Sequence, residues 1–131
     1  MTLHVEVVSP ERILFSGDAK FVKARTTDGE IAFLSDHAPF IGALGIGEVV
    51  VALEDNDERV HVAVHGGFVE VRENNVSLLS DVAELADQID TGRAREAKTR
   101  AEQALKSGED DGDAELALRR AEVRLQVADT A

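Results

Sequence analysis

In the first two thirds of the chain, apolar residues recur at every second position. Leu3, Val5 and Val7 alternate with His4, and similar runs continue as far as Leu79. Side chains of a strand point alternately to its two faces, so this period indicates strands with one buried face. Glycine, asparagine and aspartate separate the runs, as they do in turns. The pattern predicts about ten short strands arranged as an antiparallel β-sandwich or barrel.

Glycine-containing segments are predicted to end several of these strands. Residues 16–18 (SGD) follow a short run at Ile13, and residues 45–47 (GIG) separate two apolar runs. Gly66 and Gly67 are expected at a turn or bulge. Glycine adopts the positive φ values that tight turns and some bulges require. Each segment is therefore interpreted as a break between two elements.

Beyond residues 81–94 the apolar period lengthens to the spacing of an α-helix. Asp90 is suited to cap the first helix, with Ile89 before it as a staple residue. An acidic connection at residues 107–113 separates two helical runs, and a short connection favours antiparallel packing. We therefore predict a β-sandwich domain at residues 1–84 and an α-helical hairpin at residues 85–131. The apolar stripes of the two helices are Ala94, Ala97, Ala101, Ala104 and Leu105, and then Ala114, Ala117, Leu118, Ala121, Leu125 and Ala128.

The predicted hairpin has a small apolar surface. Its stripes consist mostly of alanine, and each buried methyl group contributes only about 0.8 kcal/mol. Isolated helices of about 15 residues are marginal in water. Docking of the hairpin on the sandwich is therefore worth a few kcal/mol in total. A ligand at about 100 times its dissociation constant shifts such an equilibrium by about 2.7 kcal/mol, so we expect a ligand to control the hairpin.

Charge and composition narrow the range of functions. The chain has 14 basic and 26 acidic residues, a formal net charge of −12, and no cysteine. An acidic surface repels nucleic acid and anionic lipid, so we expect no nucleic-acid partner. The lack of cysteine excludes disulfides and thiolate chemistry. No apolar run reaches the roughly 20 residues that span a bilayer and no leader sequence is evident, so we expect a cytoplasmic protein without direct bilayer insertion.

Two groups of residues were considered for chemistry. His61 and His65 lie on one face of a predicted strand, but no His-x-His pair and no suitably spaced carboxylate accompanies them, so we predict no metal site.

Arg120 and Arg124 lie one turn apart on the second helix, and an antiparallel hairpin returns that end toward Asp90 and Arg93. Arginine offers paired donors suited to phosphate. The alternative is a solvated helix face whose arginines pair with Glu84, Glu96 or Glu122.

Several segments resemble a known family, in the right order along the whole chain. They are residues 29–39 (GEIAFLSDHAP), 64–71 (VHGGFVEV), 75–79 (NVSLL), 89–94 (IDTGRA) and 114–128 (AELALRRAEVRLQVA). These motifs resemble the epsilon subunit of the F-type ATP synthase, in its bacterial form. Ser35 and Asp36 replace the Pro-Gly that usually precedes His-Ala-Pro in that family.

The resemblance implies a non-catalytic rotor subunit of the central stalk. Its sandwich would bind the gamma subunit and rest on the membrane c-ring, on the cytoplasmic face of the bacterial plasma membrane, in proton-driven ATP synthesis. Glu30 matches the loop that faces the c-ring, and Ser35, Asp36 and His37 are expected in the same neighbourhood as partner contacts. Phe68 is interpreted as a core residue. The hairpin would extend to the catalytic head subunits and restrain ATP hydrolysis.

The resemblance also implies a regulatory ATP, while no cofactor is required. In some bacterial members the folded hairpin binds one ATP through an I-D-x-x-R-A motif and two arginines of the second helix. The matching residues here are Asp90, Arg93, Arg120 and Arg124, with Glu84 at the exit of the preceding strand.

Two other functions stay open from the residues alone. The chain could be a free-standing β-sandwich binding module with a helical oligomerisation tail. It could also be an enzyme that uses His61 and His65 with a metal ion.

Overall fold

A sheet-built half precedes a pair of helices, as predicted. The computed structural model describes residues 2–108 and 112–131, which form seven strands, one short 3₁₀ helix and two α-helices. Residues 109–111 of the predicted acidic connection lie outside the described residues. In chain order the elements are β1 (Leu3–Val8), β2 (Ile13–Thr26), β3 (Gly29–Leu34), β4 (Phe40–Leu53), β5 (Arg59–Arg72), β6 (Asn75–Leu79), β7 (Ala83–Leu85), the 3₁₀ helix (Ala86–Gln88), α1 (Thr91–Ser107) and α2 (Ala114–Ala128).

Five strands form a closed ring. The order is β1-β6-β5-β4-β2, and β2 pairs with β1 to complete it, while β3 adds to β2 and β7 adds to β5. The pair of β1 with β6 is parallel and the remaining pairs are antiparallel. Alternate residues of these strands fill the interior, as the period-two pattern predicts. Phe33 is the largest of the fully buried side chains.

The prediction of about ten short strands was wrong, because β2, β4 and β5 each run for 14 residues through predicted breaks. These long strands change partners instead of ending. The first part of β2 pairs with β1, and its second part pairs with β3 and β4, with register shifts along the β2–β4 pair. Glycine inside these strands thus adds backbone freedom without ending the ladder.

Gly66 and Gly67 show this effect within β5. Their φ values are 89° and 122°, yet the register between β4 and β5 is unbroken across them. They lie where β5 changes partner from β7, at Val64, to β6, at Phe68. A Cβ atom at Gly67 would overlap the carbonyl oxygen of Leu79, so this crossing requires glycine for both conformation and space.

The predicted cap of α1 is present. The backbone N–H of Arg93 donates to Oδ1 of Asp90 at 3.1 Å, and the helix ends at Gly108, whose φ of 74° is the left-handed value common at helix ends. Ala94 and Ala101 of the predicted stripe are buried. Leu105 is 38% exposed, so its assignment to the buried stripe was wrong: it lies in the last turn of α1.

Helix α2 has a second buried face that the sequence analysis missed. Val123 and Val127 pack with Ala63 of β5 and Ile89 in one apolar cluster. Ala121 is fully buried, as the alanine stripe predicts. Helix α2 is therefore held both by α1 and by the sandwich, and the valines supply the apolar contact to the sandwich. No helix in the described part of the chain is long and apolar enough to cross a membrane.

Candidate functional site

A cavity of about 320 Å³ lies where the sandwich meets the hairpin. It is bounded by the last strand, the first three turns of α1 and the third turn of α2. Four of the five residues predicted for a nucleotide site line it, namely Glu84, Asp90, Arg93 and Arg124. Ala94 and Ala97 also line it, and their small side chains leave the space open.

Arg120, the fifth predicted residue, does not line this cavity. It is half-buried one turn before Arg124 on α2, on the side of the helix that approaches His65. Arg100 lines the cavity instead, and the sequence analysis missed it. The available signal was its spacing of seven residues from Arg93, which is two helical turns on one face of α1.

Arg124 forms the ion pair that links α2 to the sandwich. Its Nε atom donates to Oε1 of Glu84 at 2.6 Å, and both side chains are 28% exposed. The pairing with Glu84 that the alternative interpretation named is present for Arg124, but this side chain lies between α2 and the sandwich and not on a solvated helix face. Within residues 2–108 and 112–131, Arg93, Arg100 and Arg120 form no ion pair.

The cavity is locally cationic in an acidic protein. Three guanidinium groups and two carboxylates line it, whereas the chain has a net charge of −12. Asp90 is already engaged as the cap of α1, and its position marks the helix N-terminus, where backbone N–H groups favour an anion. This arrangement suits a polyanion such as a chain of phosphates, because arginine can bind phosphate oxygens in pairs.

His65 lies beside the Glu84–Arg124 pair, and its side chain is only 3% exposed. Its Nε2 atom is 3.5 Å from Oε1 of Glu84, at the outer limit of a hydrogen bond, and neither ring nitrogen has a well-formed partner among the described residues. Burial, followed by the charge of Arg124, lowers the pKa of His65 below its usual value of 6.5, against the opposing effect of Glu84. The sequence analysis weighed His65 as a metal ligand, predicted no metal site and expected a surface or hydrogen-bonded histidine, so its burial without a well-formed partner was not anticipated.

The two histidines of β5 do not share a metal site. Nδ1 of His61 lies 3.0 Å from Oε2 of Glu48 on the neighbouring strand, whereas His65 lies beside Glu84 of β7. Among the residues that the structure describes, no group of three or more histidine, aspartate or glutamate side chains could hold a metal ion.

The predicted partner contacts lie at opposite ends of β3. Glu30 is at its start, paired with Lys23 at 3.6 Å, while Ser35, Asp36 and His37 follow its end at Leu34. Placing all four in one neighbourhood was wrong, because the extended strand separates Glu30 from Ser35 by roughly 16 Å at about 3.3 Å per residue.

The loop after β3 has a defined conformation. Asp36 has a φ of 65°, and its backbone N–H donates to Oδ1 of Asn74 at 2.6 Å. The ring of His37 packs edge-on against Phe33, with 5.1 Å between ring centroids. These contacts hold the loop and the His37 ring in one conformation.

Three exposed apolar side chains lie on one outer face of the sandwich. Phe68 and Leu79 are directly paired across β5 and β6 and are 62% and 49% exposed. Ile41 lies on the same face and is also exposed. Interpreting Phe68 as core was wrong, because Val69 and Val71 are buried and the period of two turns Phe68 outward.

Comparison with known proteins identifies a family over nearly the whole chain. Residues 2–86 match the family model described as ATP synthase, Delta/Epsilon chain, beta-sandwich domain, and residues 87–129 match its long alpha-helix domain. An ATP synthase epsilon chain of Streptomyces avermitilis is 45% identical over 124 residues, which cover 95% of this chain and 93% of the relative. That of Halalkalibacterium halodurans is 44% identical, with 97% of each chain covered.

Two solved structures share the fold. A chain in the cryo-EM structure of the Euglena gracilis mitochondrial ATP synthase (OSCP, F1 and c-ring) superposes with a TM-score of 0.71 and 18% identity, covering 98% of this chain and 78% of that one. A chain in the central stalk and c-ring of the Tetrahymena thermophila mitochondrial ATP synthase gives a TM-score of 0.57 at 14% identity, covering 99% and 96%.

Proposed function

The chain belongs to the ATP synthase delta/epsilon chain family, and on that premise we propose that it is the rotor subunit that couples gamma to the c-ring. The subunit is non-catalytic, as its relatives are epsilon chains of the synthase. Its role would be to transmit rotation during proton-driven ATP synthesis and to restrain ATP hydrolysis through the hairpin. The complex would lie on the cytoplasmic face of the bacterial plasma membrane. The observation that carries this proposal is the match of both domains, in order, along the chain.

The apolar outer face supports docking of gamma. Ile41, Phe68 and Leu79 lie on one face of three neighbouring strands and are exposed. Exposed apolar surface of this kind marks protein–protein contacts, and a stalk subunit must hold gamma firmly to transmit torque. We assign this face to gamma, and the charged turn at Glu30 to the c-ring, with the loop at Ser35, Asp36 and His37 as a separate contact.

Co-purification with gamma tests the docking role. The double substitution Phe68→Asp and Leu79→Asp should abolish capture of gamma, because each places a charge in a desolvated contact. The matched control is Leu116→Asp, which changes a leucine of similar exposure, 44%, on α2. The proposal fails if the wild-type chain does not bind gamma, or if the double variant binds as well as the control.

The contacts that hold the hairpin support a mobile regulatory element. On the sandwich side they are a small apolar cluster around Val123 and Val127 and one ion pair between Glu84 and Arg124. A surface of this size is worth only a few kcal/mol. Undocking would free α1 and α2 to extend along gamma toward the catalytic head subunits and restrain hydrolysis.

The cationic cavity supports ATP as the ligand that keeps the hairpin folded. Arg93, Arg100 and Arg124 would bind the phosphates, while Asp90 and Glu84 would contact the nucleoside portion or hold the arginines in place. Arg120 would act from the adjoining turn of α2. Because ATP would bind residues of β7, α1 and α2 together, it would stabilise only the folded hairpin.

The alternative of a binding module with an oligomerisation tail has less support. Such a tail would expose its apolar face to a second copy. Here Val123 and Val127 are buried against the sandwich, and Ala121 is fully buried.

A further inference from the structure

His65 occupies an unusual position for a titratable residue. Its ring is buried where β5 of the sandwich meets α2, and neither nitrogen has a well-formed hydrogen bond among the described residues. A buried polar group without a partner is costly, and a buried charge without one is more costly still. This position therefore accepts a neutral ring far better than an imidazolium.

The charged groups around His65 reinforce this preference. Glu84 of β7 faces it, and Arg124 and Arg120 approach it from α2. The carboxylate could stabilise a protonated ring, but Oε1 of Glu84 already accepts the Nε–H of Arg124 at 2.6 Å. A proton on His65 would thus add a third positive charge beside Arg124, which is already paired with Glu84, and beside Arg120, which forms no ion pair among the described residues.

We propose that His65 is a proton-sensitive element of the surface on which α2 docks, so that protonation at mildly acidic pH releases the hairpin. Undocking removes both the cover of α2 and its two arginines from the ring. In the undocked chain, His65 can then bind a proton at a pH at which it stays neutral in the docked chain. This inference rests on the mobile hairpin of the proposed function and is independent of nucleotide binding.

The sign of the effect follows from linkage. The pKa of His65 is lowered in the docked state, so the undocked state binds more protons as pH falls below about 6.5. Docking is then favoured above that pH and weakens as pH falls toward the lowered value, by up to about tenfold in the equilibrium constant for each pH unit. Extension of the hairpin would respond to acidification of its compartment.

Hydrogen exchange on the nucleotide-free 131-residue chain tests this inference. The amides of α2 would be followed at pH 7.5 and 5.5, with rates corrected for intrinsic exchange and with the core amides of β5 as an internal reference. We expect α2 to lose protection at the lower pH in the wild type and in His61→Gln. His61 is the matched control, because it lies on the same strand and pairs with Glu48. In His65→Gln, protection should be the same at both pH values.

A proton titration of the His65 ring by NMR gives a second readout that does not depend on that variant folding. The pKa of His65 should rise toward 6.5 in Val127→Asp, which should undock α2 because it places a carboxylate in the apolar cluster. An unchanged pKa would overturn the inference, as would a wild-type loss of protection that persists in His65→Gln. If α2 exchanges only together with the core strands at both pH values, both this inference and the mobile hairpin fail.

Discussion

The Nε atom of Arg124 lies 2.6 Å from Oε1 of Glu84, across 40 positions of sequence. This contact joins the second helix to the last strand of the sandwich, and both residues line the cationic cavity. The same two side chains therefore hold the hairpin and lie at the site that we assign to a nucleotide. A ligand that binds them acts directly on docking.

The energy of this ion pair can be measured by a double-mutant cycle. We expect Glu84→Gln and Arg124→Gln to weaken docking of α2 with a coupling energy of about 1 kcal/mol, since the pair is partly exposed and screened by salt. Native-state hydrogen exchange of α2 measures the free energy of undocking in the wild type, in each single variant and in the double variant. Strictly additive single substitutions would show that the pair contributes nothing to docking.

Nucleotide binding should depend on the arginines of the cavity. Arg93→Ala should weaken ATP binding by about tenfold or more, because a hydrogen bond to a charged group is worth about 1.5–3 kcal/mol. Isothermal titration calorimetry measures this directly. Arg95→Ala is the matched control, since Arg95 is exposed on α1, two residues away, and does not line the cavity. The absence of binding heat in the wild type would remove the regulatory ATP from the account.

The valines of α2 should matter for docking but not for the sandwich. Val127 is fully buried against Ala63 and Ile89, so Val127→Ala should lower the free energy of docking by about 1–2 kcal/mol. Leu116→Ala, at an exposed position, should have little effect. Exchange rates of the α2 amides report on the hairpin and those of the β5 amides report on the sandwich, so the two effects are measured separately. Equal loss of protection in both would mean that the hairpin and sandwich unfold as one unit.

The two glycines of β5, Gly66 and Gly67, give a test of the close approach between β5 and β6. Gly66 and Gly67 both have positive φ, but only at Gly67 does an added Cβ meet another residue, the carbonyl oxygen of Leu79. Gly66→Ala should cost about 1–3 kcal/mol from backbone strain, and Gly67→Ala should cost clearly more. Urea unfolding of both variants measures the difference. Equal midpoints would contradict the close approach of β5 and β6.

Local sequence signals predicted the elements but not the long-range contacts. The Asp90 cap and the alternation in β1 follow from neighbours within a few residues, and both are present. The long strands were divided at their glycines because a sequence does not show that a strand changes partner while it continues. The valines of α2 were missed because the alanine stripe accounted for one helix face, and a second face becomes evident only when the sandwich lies beside it.

The candidate site shows the same limit. Four of the five predicted residues lie around one cavity: Arg124 from the arginine spacing, Asp90 and Arg93 from the motif at residues 89–94, and Glu84 from the family resemblance. Arg100 lies outside that motif and was signalled only by its spacing of seven residues from Arg93, whereas His65 required the structure. His65 in particular belongs to β5, which ends at Arg72, well before α1 begins at Thr91, and its ring is buried beside residues of α2.

The central claim is that a weakly held hairpin is kept folded by ATP, and hydrogen exchange of α2 with and without ATP tests it most directly. At about 100 times the dissociation constant, ATP should raise the protection of α2 by about 2.7 kcal/mol and leave the β5 core unchanged. If α2 exchanges as slowly as β5 without nucleotide, and ATP changes nothing, the claim is contradicted.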